Sequence, residues 1–130
     1  MSSLLGALKP GHQFDNQSFT IDSEMAVAYA KAVGDKSQLA VEGKVPPMAV
    51  IALGLSRVIE SLKLGGGTVH ASQEVEYSAP VKLDQPIVAS TVLKGNSMRR
   101  GSRFTTVETT FTSTSGDGIA RAVSMVIVSE

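Results

Sequence analysis

The chain has 130 residues, a length typical of one domain with a core that needs no cross-links. Its twelve basic and twelve acidic side chains cancel and are interspersed, which argues against a nucleic-acid-binding surface. There is no cysteine and there are only two histidines, far apart, so we expect no disulfide, no thiolate chemistry and no metal site. No motif indicates a bound cofactor. The sequence predicts a single domain over residues 1–130.

The first eleven residues, MSSLLGALKPG, lack the basic start and the apolar length of an export signal. No later apolar stretch approaches the length of a membrane span. We therefore expect a cytoplasmic protein without a membrane partner.

The first predicted elements are a strand and a helix. Residues Gln13–Ile21, QFDNQSFTI, predict the strand, and Asp22 or Ser23 can cap the helix that follows. Gly34 ends this helix at a position that tolerates positive φ. The apolar residues of the helix recur at helical spacing: Met25, Ala28, Tyr29 and Ala32.

A second helix is predicted from Pro46, in the sequence PPMAVIALGLSRVIESLK. Proline is tolerated at a helix start, and the residues from Met48 to Leu55 are apolar on nearly every side, so we expect this helix to be buried. The glycines Gly65–Gly67 predict its end. A phosphate-binding loop is not favoured there, because such loops precede a helix and this one precedes a strand.

The second half of the chain is predicted to be β structure. Alternation from Thr68 puts Val69 and Tyr77 on one face and His70, Ser72 and Glu74 on the other. Further strands are predicted at Ile87–Lys94, Ser102–Ser113 and Ile119–Val128, with turns at Lys94–Ser97 and Ser115–Gly118.

Long strands joined by short turns predict an antiparallel meander. Such a sheet must bury one face, and the apolar helix is the element available to cover it. The sequence therefore predicts an α+β fold in which a curved antiparallel sheet wraps around a central helix.

Three stretches, in this order, resemble the MaoC-like dehydratase and (R)-specific enoyl hydratase family. They are AYAKAVGD (Ala28–Asp35), VPPMAVIALGLSRVIESL (Val45–Leu62) and VHASQEVEYSAPVKLDQPI (Val69–Ile87). The resemblance covers the chain from about Gly11 and is strongest to the partner-type or N-terminal-type subgroup. It implies a single hot-dog domain.

The resemblance also implies where a site would lie. In the family, the signature Gly-Asp-x-Asn-Pro-Leu-His supplies an Asp and a His that activate water toward an enoyl thioester, and an amide at the start of the central helix holds the thioester oxygen. Asp35 matches the signature Asp, but Ala40 stands where the His is expected. Pro47 stands in place of the glycine whose amide donates, and proline has no N–H. The catalytic set is thus incomplete.

Two candidate catalytic residues remain. Asp35 is either a structural residue that accepts loop amides or a surviving acid or base. His70 is either an ordinary strand residue or a group that reaches into the site of a partner subunit. The candidate substrate-binding residues are Pro47, Met48, Gly54, Ser72 and Gln73, with Arg99, Arg100 and Arg103 as a turn or a clamp for a coenzyme A phosphate.

The resemblance favours a protein that binds acyl-CoA or acyl-carrier-protein thioesters as a non-catalytic or partner subunit of a (3R)-hydroxyacyl dehydratase. We expect a homodimer or a heterodimer with another hot-dog subunit, because a lone sheet leaves an exposed edge. Three alternatives remain open: an active enoyl-CoA hydratase that uses Asp35, a thioesterase that uses Asp35 or Glu60, and a non-catalytic homodimer that binds fatty acyl groups.

Overall fold

The computed structural model describes residues 4–39, 42–62 and 68–129. Ala40 and Gly65–Gly67, on which two of the predictions fall, lie outside these ranges. A 3₁₀ turn at Leu4–Ala7 precedes five strands and two α-helices. In chain order these are β1 (Gln17–Phe19), α1 (Ser23–Val33), α2 (Pro47–Ser61), β2 (Val69–Tyr77), β3 (Ile87–Arg99), β4 (Ser102–Ser113) and β5 (Gly118–Ser129).

The five strands form one antiparallel sheet in the order β1-β3-β4-β5-β2. Strands β3, β4 and β5 form a meander. Strand β2 pairs with β5 and not with β3, so that β1 and β2 are the two edges of the sheet. Helix α2 packs against one face of the sheet, which we call the inner face. The predicted α+β architecture is confirmed. Neither helix in the described ranges is long and apolar enough to cross a membrane.

Helix α1 begins and ends where its capping residues predict. Asp22 accepts a hydrogen bond from the Met25 amide at 2.8 Å, and Gly34 ends the helix with φ at 72°. Its packed face is formed by Ala26 together with the partly buried Met25 and Tyr29. Ala28 and Ala32, which share the helical spacing of Met25 and Tyr29, are exposed.

Helix α2 is buried on one side only. Ala49, Val50 and Ile51 lie in the core, but the Met48 side chain is 47% exposed and Ala52 is exposed. The prediction that this helix is buried all round is therefore wrong for the single chain, because the sheet covers one flank only. The remaining apolar surface faces outward.

Gly54 sets how closely α2 approaches the sheet. A Cβ atom at this position would lie 2.5 Å from the Phe111 ring and 2.9 Å from the Phe19 ring. Those two rings pack edge to face with centroids 6.2 Å apart. Gly54 is thus a packing residue of the core, and no ligand is needed to explain it.

The register of β2 differs from the predicted alternation. Residues directly opposite each other on antiparallel strands project to the same face. His70 pairs with the buried Val126, and Tyr77 pairs with the buried Ala120, so both belong to the inner face. The prediction that His70 shares a face with Ser72 is wrong, because a β-bulge at Ala71 inserts one residue and reverses the alternation.

Strand β3 is longer than predicted. The register shifts between Leu93 and Gly95, after which pairing with β4 continues to Arg99. The predicted turn at Lys94–Ser97 is wrong, because a bulge absorbs the irregularity and the strand does not end there. The chain turns instead at Arg100 and Gly101, which have φ of 51° and 81°, as a two-residue hairpin loop requires.

The other predicted turn, Ser115–Gly118, is confirmed. Gly116 has φ at 91°, its amide donates to the Ser113 carbonyl at 3.0 Å, and β5 begins at Gly118.

Candidate functional site

A groove of about 630 Å³ lies where α2 begins. Three parts of the chain form it: the segment that precedes α2, the first turn of α2, and the end of β2 with the residues that follow. The Val45 amide donates to the Val81 carbonyl at 2.9 Å and joins the first part to the third. The residues that line the groove are Leu39, Lys44, Val45, Pro47, Val50, Tyr77, Ser78, Ala79, Pro80 and Val81.

The walls of the groove are predominantly apolar. Among the lining residues, only Lys44, Tyr77 and Ser78 carry polar side-chain groups. A cavity of this size with apolar walls and a few polar groups is typical of a site for a small organic ligand.

Tyr77 is the polar residue nearest the core. Although 38% of the residue is exposed, burial raises the pKa of its hydroxyl, and the nearby Tyr29 raises it further, while a hydrogen bond with the Ile51 backbone opposes the shift. The hydroxyl therefore stays protonated at neutral pH, so that Tyr77 can donate a hydrogen bond but cannot act as a base.

The start of α2 does not supply an amide at Pro47, where the resemblance implies one. Pro46 and Pro47 have no N–H, and the Ala49 amide already donates to the Pro46 carbonyl at 2.9 Å. The first amide of the helix is therefore that of Met48, one residue beyond the position that the family resemblance indicates. Pro47 itself lines the groove, whereas Met48 is not among its described lining residues, and the roles of both in binding stay predictions.

Asp35 does not line this groove. It lies in an adjoining depression of about 240 Å³, whose described lining residues include Leu39, which also lines the groove. The Asp35 amide donates to the Ala30 carbonyl at 2.8 Å, and its carboxylate accepts a hydrogen bond from the Ser37 amide at 2.8 Å. These bonds hold the loop after α1 in place.

The Ser37 amide also lowers the pKa of the Asp35 carboxyl below its ordinary value. The side chain is therefore ionised at neutral pH and is a weak base. This geometry favours the structural interpretation of Asp35, and its catalytic role stays a prediction.

His70 and the predicted binding residues of β2 lie away from the groove. Tyr77 is at one end of β2 and His70 is near the other, a separation of roughly 20 Å along an extended strand. Ser72 pairs with Met125 on the outer face, and Gln73 pairs with Ser124 on the inner face in mid-strand. Their roles in binding remain predictions, with no contact to the groove that supports them.

The three arginines lie at the opposite end of the sheet from the groove, and their surroundings differ. Arg99 lies over the Phe104 ring at 5.7 Å, and Arg100 is in the hairpin turn. Arg103 donates to Asn96 Oδ1 at 2.8 Å, and the Asn96 side-chain amide donates to the Leu8 carbonyl at 3.1 Å. Arg103 thus helps to attach the N-terminal segment, and the structure does not assemble the three into a clamp.

In the described ranges of the chain, no group of three or more His, Cys, Asp or Glu residues is arranged to hold a metal ion.

The fold and the groove define a class of protein: a hot-dog domain with a ligand-sized groove at the start of its central helix. A family model described as FAS1-like, dehydratase domain region, matches residues 9–122. The chain therefore belongs to the FAS1-like dehydratase-domain family. No curated protein sequence matches it.

Solved structures show the same fold. The chain is similar to an (R)-hydratase from A. caviae involved in PHA biosynthesis, with 18% identity, coverage of 92% of this chain and 96% of that chain, and a TM-score of 0.75. It is also similar to a MaoC-like dehydratase from Rhodospirillum rubrum, with 15% identity, coverage of 100% of this chain and 98% of that chain, and a TM-score of 0.79. For the HadBC (3R)-hydroxyacyl-ACP dehydratase complex from Mycobacterium tuberculosis, the identity is 17%, the coverage is 91% of this chain and 96% of that chain, and the TM-score is 0.72. The predicted hot-dog fold is confirmed.

Of the ten described residues that line the groove, sequence reasoning named only Pro47 as a binding residue; Lys44, Tyr77 and Val81 are among the nine that it missed. Tyr77 and Val81 belong to the stretch Val69–Ile87, which was used to identify the family but not to name these two as binding residues. Lys44 carries no local signal, because its position at the groove depends on the pairing of two segments that are distant in sequence.

Proposed function

We propose that this chain is the acyl-thioester-binding subunit of a hot-dog dehydratase, and that a second hot-dog chain supplies the catalytic Asp and His. The observation that carries this proposal is that the described lining residues of the groove include no histidine and no carboxylate. The apolar groove lies at the start of α2, whereas Asp35 is held by the Ser37 amide in an adjoining depression.

The groove suits the acyl part of a thioester. Its aliphatic and proline walls would take up the acyl chain, and burial of apolar surface favours such binding. Tyr77 supplies a hydroxyl donor in the groove for the thioester oxygen. A donor at such a position stabilises the oxyanion that develops in an enoyl thioester reaction.

The groove lacks a residue that moves protons readily. Tyr77 stays neutral, and the described lining residues include no histidine and no carboxylate. A missing general acid or base typically costs about 10²–10⁴ in rate. A chain with this groove alone is therefore expected to bind an enoyl thioester far better than it hydrates one.

The edge strand β2 suits assembly with a second subunit. Eight of its nine residues are exposed, and one side of its backbone has no neighbouring strand in the sheet order. Natural sheets cover or pair such edges. The likeness to HadBC, which is a complex of dehydratase subunits, supports a hot-dog partner.

The proposal is tested by enzymology on the chain alone and with a partner. The purified chain is mixed with short and long trans-2-enoyl-CoA, and the loss of enoyl-thioester absorbance is followed together with the release of free thiol. We expect neither signal from the chain alone, but a rise in Tm with saturating ligand, because a ligand that binds only the folded state stabilises it. Hydration should appear once a hot-dog partner with an intact Gly-Asp-x-Asn-Pro-x-His motif is added.

Asp35→Asn separates a structural role from a catalytic one. The asparagine oxygen can still accept from the Ser37 amide, so the loop is preserved while the charge is lost. We expect unchanged turnover of the assembled complex and a small change in Tm. Turnover by the chain alone that Asp35→Asn abolishes would contradict the proposal, and release of thiol would identify a thioesterase.

A second candidate is an active homodimeric hydratase, and the β2 bulge favours it. The bulge turns His70 to the inner face that also carries Tyr77. If β2 paired antiparallel with β2 of a second copy, His70 of that copy would be directed toward the Tyr77 end of the strand. This candidate predicts turnover that His70→Ala abolishes, whereas the outer-face control Ser72→Ala retains it.

A further inference from the structure

A two-residue antiparallel bridge lies at the rim of the groove and pairs Lys44 with Lys82. Two hydrogen bonds flank it: the Val45 amide donates to the Val81 carbonyl at 2.9 Å, and the Leu83 amide donates to the Gly43 carbonyl at 3.0 Å. Val45 and Val81 project into the core from one side of this bridge. The two lysines, which are directly paired and exposed, project together from the other side.

The two lysines form no ion pair with a carboxylate within the described ranges. Neither ammonium group has a carboxylate within 4.0 Å there. Like charges directly opposite each other on paired strands destabilise the pairing. The arrangement therefore carries a cost in the free chain that a bound anion would remove.

The lysine pair lies beside the groove. Lys44 itself lines the groove, as do Val45 and Val81 on the same bridge. A ligand that fits both features has an apolar part for the walls and a negatively charged group at the rim. Lysine binds phosphate as a point charge, so two adjacent lysines suit a doubly charged phosphate.

We infer that Lys44 and Lys82 bind the phosphate of the phosphopantetheine arm that carries the acyl thioester. This inference rests on the proposed function, which places an acyl thioester in the groove. Lys82 follows Tyr77 by five residues, so their Cα atoms lie within about 18 Å of each other. A long flexible arm whose thioester is near Tyr77 can therefore present its phosphate to the lysines.

The same geometry makes Arg99 and Arg100 the natural controls. They carry the same charge as the lysine pair, but they lie at the β3–β4 hairpin, at the opposite end of the sheet from the groove. A general loss of positive charge and a loss of this particular contact can therefore be distinguished by comparing two double variants.

The test measures the Kd of acyl-CoA, acyl-carrier protein and acyl-pantetheine, the last of which has no phosphate, at two salt concentrations. In Lys44→Gln/Lys82→Gln we expect at least a roughly tenfold loss of affinity for both phosphate-bearing ligands, as for two charge-assisted contacts. The affinity for acyl-pantetheine should be unchanged, and the salt dependence of acyl-CoA binding should become weaker. Arg99→Gln/Arg100→Gln should bind all three ligands like the unmodified chain.

Three outcomes would overturn the inference alone: unchanged acyl-CoA affinity in the lysine variant, an equal loss for acyl-pantetheine, or a loss confined to acyl-CoA, which would place its nucleotide phosphates at the lysines. Binding of none of the three ligands by the unmodified chain would overturn the proposed function as well.

The lysine variant should also unfold at the same or a slightly higher Tm without ligand, because it removes a like-charge pair. A markedly lower Tm would contradict the like-charge pair on which the inference rests.

Discussion

Tyr77 is the residue at which the groove, helix α2 and the free strand β2 meet. Its hydroxyl pKa is raised mainly by burial, so the folded state favours the neutral form. The stability that this provides is complete below the unfolded pKa near 10 and is lost as pH rises toward the folded pKa. We expect Tm to fall steeply above about pH 10 in the unmodified chain and less steeply in Tyr77→Phe.

The measurement is a series of thermal melts between neutral and strongly alkaline pH, with tyrosinate absorbance recorded in parallel. Parallel declines of Tm in the two proteins would contradict the burial of the hydroxyl.

Gly54 makes a second prediction at the scale of single residues. Alanine is the better helix former by about 1 kcal/mol, yet its Cβ would meet the Phe111 and Phe19 rings. Overpacking of a core typically costs about 1–3 kcal/mol. We expect Gly54→Ala to lower the free energy of unfolding, as measured by urea denaturation.

Phe111→Leu supplies the control for this prediction, because a smaller side chain opens space beside the new Cβ. The double variant Gly54→Ala/Phe111→Leu should be more stable than the sum of the two single effects indicates. Strict additivity, or a stabilising Gly54→Ala, would show that α2 can shift without cost.

At the scale of elements, the inner face of the sheet carries buried hydroxyl groups beside its apolar core. Thr91 and Thr109 satisfy each other, with 3.0 Å between their Oγ1 atoms. Thr105 and Ser124 are equally buried, but their hydroxyls have no hydrogen-bond partner among the residues that the structure describes. An unpaired buried hydroxyl costs free energy, whereas an apolar group of the same shape does not.

The same substitution is therefore expected to have opposite effects at two positions on β4. Thr105→Val removes an unsatisfied hydroxyl and should stabilise the fold by about 1 kcal/mol. Thr109→Val leaves the Thr91 hydroxyl unpaired and should destabilise it by about 1–2 kcal/mol. Thermal melts of the two variants compare them directly, and two shifts of the same sign would contradict the assigned hydrogen bonding.

Irregular strand geometry also decides which groups face the site. The bulge at Ala71 brings His70 to the same face as Tyr77, and the bulge after Leu93 extends β3 to Arg99. Neither is visible in the alternation of residue types. Each depends on how the neighbouring strand pairs, and a shift of one residue changes the face of every residue beyond it.

At the scale of the whole molecule, β2 is the edge at which a second subunit is expected. Its residues are mostly exposed, whereas those of β4 and β5 alternate between buried and partly buried. We expect the β2 amides to become protected from hydrogen exchange on assembly, because the second strand accepts their hydrogen bonds.

Hydrogen exchange measured across a dilution series, alongside the molecular mass, tests this expectation. Protection of β2 should fall as the assembly dissociates, while protection of the central strand β4 should persist. Unprotected β2 amides at every concentration and a monomeric mass, also in the presence of a hot-dog partner, would contradict assembly at this edge.

The predictable parts of the fold were those with local causes. Asp22 sets the start of α1 through a short-range hydrogen bond, and Gly34 sets its end through a positive φ. The turn at Ser115–Gly118 follows from its turn-forming residues. The expectation of an incomplete catalytic set rests on Ala40 and Pro47, which are read directly from the sequence, and it stays a prediction. The groove was predictable only in part, through Pro47.

The sequence by itself thus determined the α+β architecture and the ends of α1, because each depends on residue type and short-range spacing. Only the tertiary structure decided that Asp35 does not line the groove, that His70 and Tyr77 share a face, and that Lys44 meets Lys82. The physical reason is that these relations arise from strand pairing and register between distant segments, which no local pattern specifies.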